Sequence, residues 1–239
     1  MDAVTVDTSL PAQPFAAGSF DSLRASQLPE GTILPDDFYL TKAGHKDVDA
    51  VSNLIGKKGF FFAPLSDLTR EGANPFVAAS KVMFGETVKE AKFTLAVRAR
   101  NDDRLLGCVT FSAPQDRSQT SEISYFFDPT LYQRTLGTQS VLRAMHWLIH
   151  QGGYQKLKIR KLKATVDPNN TASIKILDKI GLEVIRRGFT LPDESPYRGP
   201  NGEKRPRLLL EGNVPADIIP SLERSLSDKR YSLQTPVVV

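Results

Sequence analysis

TSEISYFFDPTLYQRTLGTQS, residues 120–140, decides the fold. It opens as a strand, Thr120 to Phe127, carrying one carboxylate, Glu122, among Ile123, Tyr125, Phe126 and Phe127. Asp128-Pro129 breaks the strand. The turn Gln133-Arg134-Thr135-Leu136-Gly137-Thr138 then runs directly into a helix. The first backbone N–H groups of a helix have no intrahelical partner, and the helix dipole makes that end positive. Such an end suits a phosphate. Thr135, Gly137 and Thr138 are small and polar, so a ligand can approach the backbone closely. From Thr120 to Glu183 the chain reads strand, turn, helix, strand, helix, with Asn170-Thr171-Ala172-Ser173 at the start of the second helix.

In their order and spacing these residues resemble the acyl-CoA-binding half of the GNAT N-acetyltransferase superfamily. The resemblance is to the branch that includes the ribosomal-protein alanine acetyltransferases. That branch has a strand like E-I-G-Y, then D/S-P, a phosphate turn, and later N-x-x-S before L-x-K-x-G. Here these read Glu122-Ile123-Ser124-Tyr125, Asp128-Pro129, Asn170-Thr171-Ala172-Ser173 and Leu177-Asp178-Lys179-Ile180-Gly181. A sub-branch writes the turn as L-Q-R-T-x-x-T-E-A, and this chain has YQRTLGTQS. The usual Gly after E-I is Ser124, and the usual Glu after the turn's Thr is Gln139.

The resemblance implies an α/β (α+β) GNAT-like fold. Its mixed central sheet has about six to seven strands, an antiparallel meander followed by a parallel pair, flanked by helices. It also implies acetyl transfer from acetyl-CoA, a co-substrate, to an acceptor amine through a ternary complex. Arg134, Thr135, Leu136, Gly137, Thr138 and Gln139 correspond to the pyrophosphate turn. Tyr125, Phe126 and Phe127 lie on the splayed strand that pairs with the pantetheine arm and leaves an N–H to polarise the thioester carbonyl. Asn170 belongs to the same cofactor-facing set, with helix capping as its structural alternative. Two catalytic roles follow. A free amine has a pKa of about 10 and is mostly protonated at neutral pH, so a base is needed; Glu122 takes that role, directly or through water, with a structural carboxylate that orders the turn as its alternative. Ser173, at the start of the second helix, is the donor to the leaving thiolate, with helix capping as its structural alternative. A thiol of pKa about 8.5 leaves without much help, so Ser173 matters less than Glu122.

Composition is compatible with this. The chain has 239 residues, 40% hydrophobic and 24% charged, with a net charge of +4. That balance is close to the soluble average and too mild to argue for nucleic acid. No apolar run reaches the ~20 residues of a membrane span. The acidic N-terminal stretch lacks the pattern of a secretory signal. One cysteine, Cys108, excludes an internal disulfide framework and a cysteine-based zinc site. The reading is a cytoplasmic protein without nucleic-acid or membrane partners. The basic run Lys156 to Lys163 alternates with aliphatic residues. It reads as the solvated face of a strand and its entry loop, with a contribution to the potential that attracts a polyanionic cofactor.

Outward from the central stretch, residues 1–35 form a Pro-rich arm, 36–212 the acyltransferase domain, and 213–239 a C-terminal helix and tail. Phe38 to Thr41 is a strand. Val48, Val51, Leu54 and Ile55 share one helical face. Asn74-Pro75 opens a second helix bearing Phe76, Ala79, Val82 and Met83. Phe93 to Arg98, Leu105 to Phe111 and Thr120 to Phe127 form the meander. A helix of about Gly137 to His150 turns Val141, Met145, Leu148 and Ile149 to the core. His146 and His150 have metal-ligand spacing but no third ligand, so no metal is inferred. The aromatic loop Phe60-Phe61-Phe62 and the loop 191–206 could enclose a small amine, which favours a small molecule or amino acid as acceptor. Acetylation of a protein N-terminus, O-acetylation of an alcohol, and a degenerate acyl-CoA-binding module are the alternatives. Relatives of this fold often form homodimers.

Overall fold

A computed structural model describes residues 37–55, 57, 79–80, 83–84, 92–114, 119–132, 135–150, 153–190, 206–214 and 216–227. The elements in chain order are β1 (Phe38–Lys42), α1 (Val48–Ile55), β2 (Lys92–Ala99), β3 (Leu105–Ser112), β4 (Thr120–Phe127), α2 (Leu136–His150) and a four-residue helix α3 (Gly153–Lys156). They continue as β5 (Lys161–Val166), α4 (Thr171–Lys179), β6 (Glu183–Phe189), β7 (Arg207–Asn213) and α5 (Ile218–Ser227). The seven strands form one mixed sheet in the order β1-β2-β3-β4-β5-β7-β6. The meander β1 to β4 is antiparallel throughout, and β4 and β5 are parallel. The expected strand–helix–strand crossover accounts for that parallel pair. The chain-terminal strand β7 inserts between β5 and β6, antiparallel to both.

Alternation along the strands divides the core in two. Leu95, Val97, Val109, Phe111, Ile123 and Phe127 project to the face covered by α2, where Val141, Met145 and Leu148 meet them. Leu162, Ala164, Val166, Leu208 and Leu210 continue that face under α4 and α5. Ala96, Cys108 and Phe126 project to the other face and pack against Val48, Val51, Leu54 and Ile55 of α1. Ala79 and Met83, both helical, join that second cluster, where the sequence expects a helix starting at Asn74-Pro75. The helix start itself lies outside the described residues, as do the arm 1–35, Phe60 to Phe62, Phe76, Val82, nearly all of the loop 191–206 and the tail after Ser227.

Cys108 is fully buried, and burial pushes its thiol up. Two buried cations fasten the packing. Arg143, on α2, donates from Nη1 to the Phe38 carbonyl at 2.9 Å, and its guanidinium lies 4.3 Å from the Phe38 ring centroid. Arg98, on β2, forms an ion pair with buried Asp47 just ahead of α1.

Candidate active site

The two central strands part company at a carboxylate. β4 and β5 are in register at three positions only, Thr120↔Lys161, Ser121↔Leu162 and Glu122↔Lys163. β4 continues to Phe127, paired on its other side with β3 as far as Phe127↔Gly107. β5 continues to Val166, paired on its other side with β7. The sheet is therefore open between residues 123–127 and 164–166, and Glu122 sits at the vertex. An opening with strand backbone along one wall suits an amide-containing chain, which can pair with the strand as a peptide would.

Glu122 is anchored through its main chain, whose N–H donates to Ser112 Oγ at 2.8 Å. The neighbouring Ser121 hydroxyl donates to the Ser112 carbonyl at 2.7 Å. The Glu122 side chain is half-buried and on the face away from α2. Burial pushes its carboxyl above the usual carboxylate range, against the pull of Lys163 and Lys92.

At the far end of the opening, the turn delivers α2. Thr135 has φ +62°, a left-handed conformation that a β-branched residue adopts at a cost of roughly 1–3 kcal/mol. Its carbonyl accepts the first helical bond, from Gln139 N at 3.0 Å, and its Oγ1 accepts from Gln139 Nε2 at 3.2 Å. Thr135 is thus the helix cap. The N–H groups of Leu136, Gly137 and Thr138 form the positive first turn. The absence of a side chain at Gly137 seats this turn on β4. A Cβ there would stand 3.2 Å from the Phe127 ring and 3.6 Å from Ile176 of α4. Leu136 is buried in the core, and Gln139 is also buried. Arg134 lies outside the described residues.

The third wall is α4. Asn170 Oδ1 accepts from Ser173 N at 3.1 Å, so Asn170 caps the helix as its residue type predicts. Tyr125 Oη donates to the Ser173 carbonyl at 3.3 Å, linking β4 to the start of α4. Burial pushes the Tyr125 hydroxyl up, so it stays protonated and able to donate. Tyr125 and Phe127 are on the α2 side of β4, with ring centroids 6.1 Å apart. The Phe126 side chain goes to the opposite face and is buried among the α1 cluster, so only its backbone is available to a ligand along β4.

The structure therefore brings Tyr125, Phe127, Gly137 and Ser173 together. It sets Glu122 apart at the narrow end. Three residues had no role in the site on the sequence alone. Ser112 holds the Glu122 backbone. Lys163 is its cross-strand neighbour, and its signal was the alternation of the basic run. Asp128 is fully buried, accepts from Thr130 N and Oγ1, and pairs with Lys57 Nζ at 2.5 Å. The Lys57 ammonium and the Thr130 donors hold the Asp128 carboxyl below its usual range, overcoming the opposing effect of burial. Among the described residues, no group of three or more His, Cys, Asp or Glu side chains is placed to hold a metal, and no helix is long and apolar enough to cross a membrane.

Residues 38–183 match the family model described as Acetyltransferase (GNAT) domain. A curated relative, the Probable N-acetyltransferase YjcK of Bacillus subtilis, is 29% identical over 94 residues, 39% of this chain. The chain spans about half the length of that relative, 49%. Among solved structures, a ribosomal-protein-S5-alanine acetyltransferase from Vibrio fischeri superposes with a TM-score of 0.54 at 14% identity, over 76% of this chain and 95% of that one. A dodecameric spermidine N-acetyltransferase from Vibrio cholerae gives 0.51 at 11% identity, over 74% and 94%. At these identities the two structures speak for the fold.

Proposed function

The chain belongs to the GNAT acetyltransferase family, and on that premise we propose that it transfers the acetyl group of acetyl-CoA directly to the amine of a small molecule or amino acid. The observation that carries the reading is the parting of β4 and β5 immediately after Glu122. It supports a single passage with a phosphate-binding helix start at one end and a carboxylate at the other.

The pyrophosphate is met by the first turn of α2, where the left-handed Thr135 and the bare Gly137 let the backbone come close. The backbone of β4 beyond Glu122 pairs with the pantetheine arm and aims an N–H at the thioester carbonyl. A donor of this kind, placed where negative charge develops, contributes about 3–4 kcal/mol. Glu122 removes the proton from the acceptor amine, directly or through one water. Its raised pKa brings it nearer to working pH and makes it a stronger base than a surface carboxylate. The Ser173 hydroxyl, at the start of α4, donates to the departing thiolate. Tyr125, fixed on the Ser173 carbonyl, keeps α4 at the correct distance. A cytoplasmic setting is part of the same proposal.

The test is free-thiol release from acetyl-CoA across amines, amino acids, alcohols and short peptides, with Glu122→Gln beside the parent. Release that depends on an amine and falls at least about 100-fold in the variant, with acetyl-CoA affinity retained, supports the proposal. Undiminished turnover by the variant overturns the base assignment. Acetyl-CoA binding without release for any acceptor overturns the transferase reading in favour of a binding module.

A further inference from the structure

A line of hydroxyls crosses the sheet beside Glu122. Thr94 of β2 is in register with Thr110 of β3, and Thr110 with Ser124 of β4. Residues in register across neighbouring strands share a face, and Ser124 shares that of Glu122 because the two stand two apart on β4. The row starts in the core, where Thr94 and Thr110 are buried, and ends half-buried at the opening. The adjacent row holds Ser112 and Glu122, joined by the bond from the Glu122 N–H, with Lys163 in register beyond. A threonine hydroxyl has one hydrogen, and that fixes the direction of the hydroxyl row. Thr94 gives its hydrogen to the Met83 carbonyl at 2.7 Å. In the 3.1 Å contact between Thr94 Oγ1 and Thr110 Oγ1 the donor is therefore Thr110. Thr110 has then spent its own hydrogen and can accept from Ser124 but not donate to it. Among the described residues the Ser124 hydroxyl makes no hydrogen bond.

We propose that Ser124 contacts the acceptor and selects an amine over an alcohol. This rests on the transferase reading above. With its hydrogen turned to Thr110, Ser124 leaves only lone pairs toward the opening. Ser124 and Glu122 lie about 6.6 Å apart along β4, at ~3.3 Å per residue. That is close to the span of two hydrogen bonds of about 2.9 Å meeting at one atom. One acceptor nitrogen between them donates an N–H to Glu122, which takes the proton, and a second N–H to Ser124. A primary amine still has hydrogens after that loss. An alcohol has a single hydrogen. Once it is committed to Glu122, the alcohol oxygen turns lone pairs to Ser124, and two acceptors face each other with no proton between them.

The cofactor is a poor alternative partner for Ser124. In the transferase reading the thioester meets the β4 backbone in the gap between β4 and β5, within the plane of the sheet. The Ser124 side chain stands off that plane, on the Glu122 face, while Tyr125 and Phe127 stand on the other. The direction of the row matters as much as the hydroxyl. A serine free to rotate donates to an alcohol as readily as it accepts from an amine. The two threonines behind Ser124 remove that freedom.

The experiment pairs primary amines with the alcohols of the same carbon skeleton. It measures kcat/KM by thiol release, and acceptor binding by calorimetry with CoA present, for the parent, Ser124→Ala, Ser124→Thr and Thr110→Val. Ser124→Ala should lower the amine-to-alcohol ratio of kcat/KM about tenfold, through a loss on the amine, with KM for acetyl-CoA unchanged. Thr110→Val removes the acceptor for the Ser124 hydrogen, so Ser124 can turn and donate. The ratio should fall again, this time through a gain on the alcohol. Ser124→Thr should keep most of the preference. A parent that prefers the alcohol, a ratio that either Ser124→Ala or Thr110→Val leaves unchanged, or a Ser124→Ala loss that is equal on both acceptors would overturn the inference and leave acetyl transfer standing. No thiol release from any acceptor, with an amine bound by the parent and bound more weakly by Ser124→Ala, would overturn the transferase reading and leave the Ser124 contact standing. No release and no acceptor binding would overturn both.

Discussion

Burial works against Glu122 as a charge and in its favour as a base. Its carboxyl is pushed up from an ordinary value of about 4.3. Between that value and the raised one, the folded chain holds a proton that the unfolded chain has released. Stability therefore falls as pH rises through the window and is lowest, as far as this group matters, above it. Glu122→Gln should raise Tm at neutral pH while it removes activity, and melting curves at pH 5 and 8 check this: the gain should be larger at pH 8. In the parent, kcat/KM should climb through the raised pKa on the acid side, a limb the variant lacks. His146 obeys the opposite rule. Burial, aided by His150 at 4.5 Å between ring centroids, lowers its pKa to about 4. The folded state then refuses a proton that the unfolded state accepts below about 6.5, so stability is lost as pH falls through that range. His146→Leu should flatten the decline between pH 6.5 and 4 in thermal melts. Glu122 is legible in the sequence because a lone carboxylate in an apolar strand is conspicuous. Ser112 and Lys163 are not, because the row they share with Glu122 depends on registers between segments far apart in the chain.

Caps and turns are the elements most directly written in residue types. Asn170 reads as a helix cap and caps α4, and Asn170→Ala should cost about 1 kcal/mol in chemical denaturation. Gly181 reads as a helix stop and has φ +83°. A Cβ there would stand 2.7 Å from the Asp217 carbonyl and 3.0 Å from Ser221, so left-handed strain and a clash with the approach to α5 combine. Gly181→Ala should lower stability by about 1–3 kcal/mol. Gly137→Val, by contrast, crowds Phe127 where the cofactor turn sits, and should raise KM for acetyl-CoA at least tenfold in steady-state kinetics. Among the described residues, the helix ends and strand ends expected from the sequence agree with the structure to within a few residues. α3 is less legible, because Gly152-Gly153 signals a stop and gives no hint that the chain re-enters a helix at once. The buried Arg143 is also hidden, since an arginine on a helix normally reads as solvent-facing, and its partner is a carbonyl of β1.

For the whole molecule, the split core explains why fold class was readable and strand order was not. Periodicity reports which residues are buried, and a parallel crossover is forced by strand–helix–strand connectivity. Nothing local tells β7 to enter between β5 and β6. The same scale governs the ion pair of Arg98 and Asp47, which ties the turn before α1 to the meander although the two residues stand 51 apart in the chain. Arg98→Ala strands a buried carboxylate and should cost about 3–5 kcal/mol, measured by denaturant midpoint.

The insertion of β7 also sets a timetable. β5 is joined to β4 at three positions and to β7 at six, from Lys161↔Asn213 to Val166↔Leu208, while among the described residues β6 pairs with β7 alone. During synthesis, everything through Phe189 can emerge while β5 and β6 still lack a common neighbour. β6 and the outer edge of β5 therefore wait for residues 207–213, and the angle of the opening at Glu122 is fixed only when that late strand docks. A nascent chain halted before Arg207 exposes two unpaired strand edges, the kind of surface that chaperones hold and aggregates recruit.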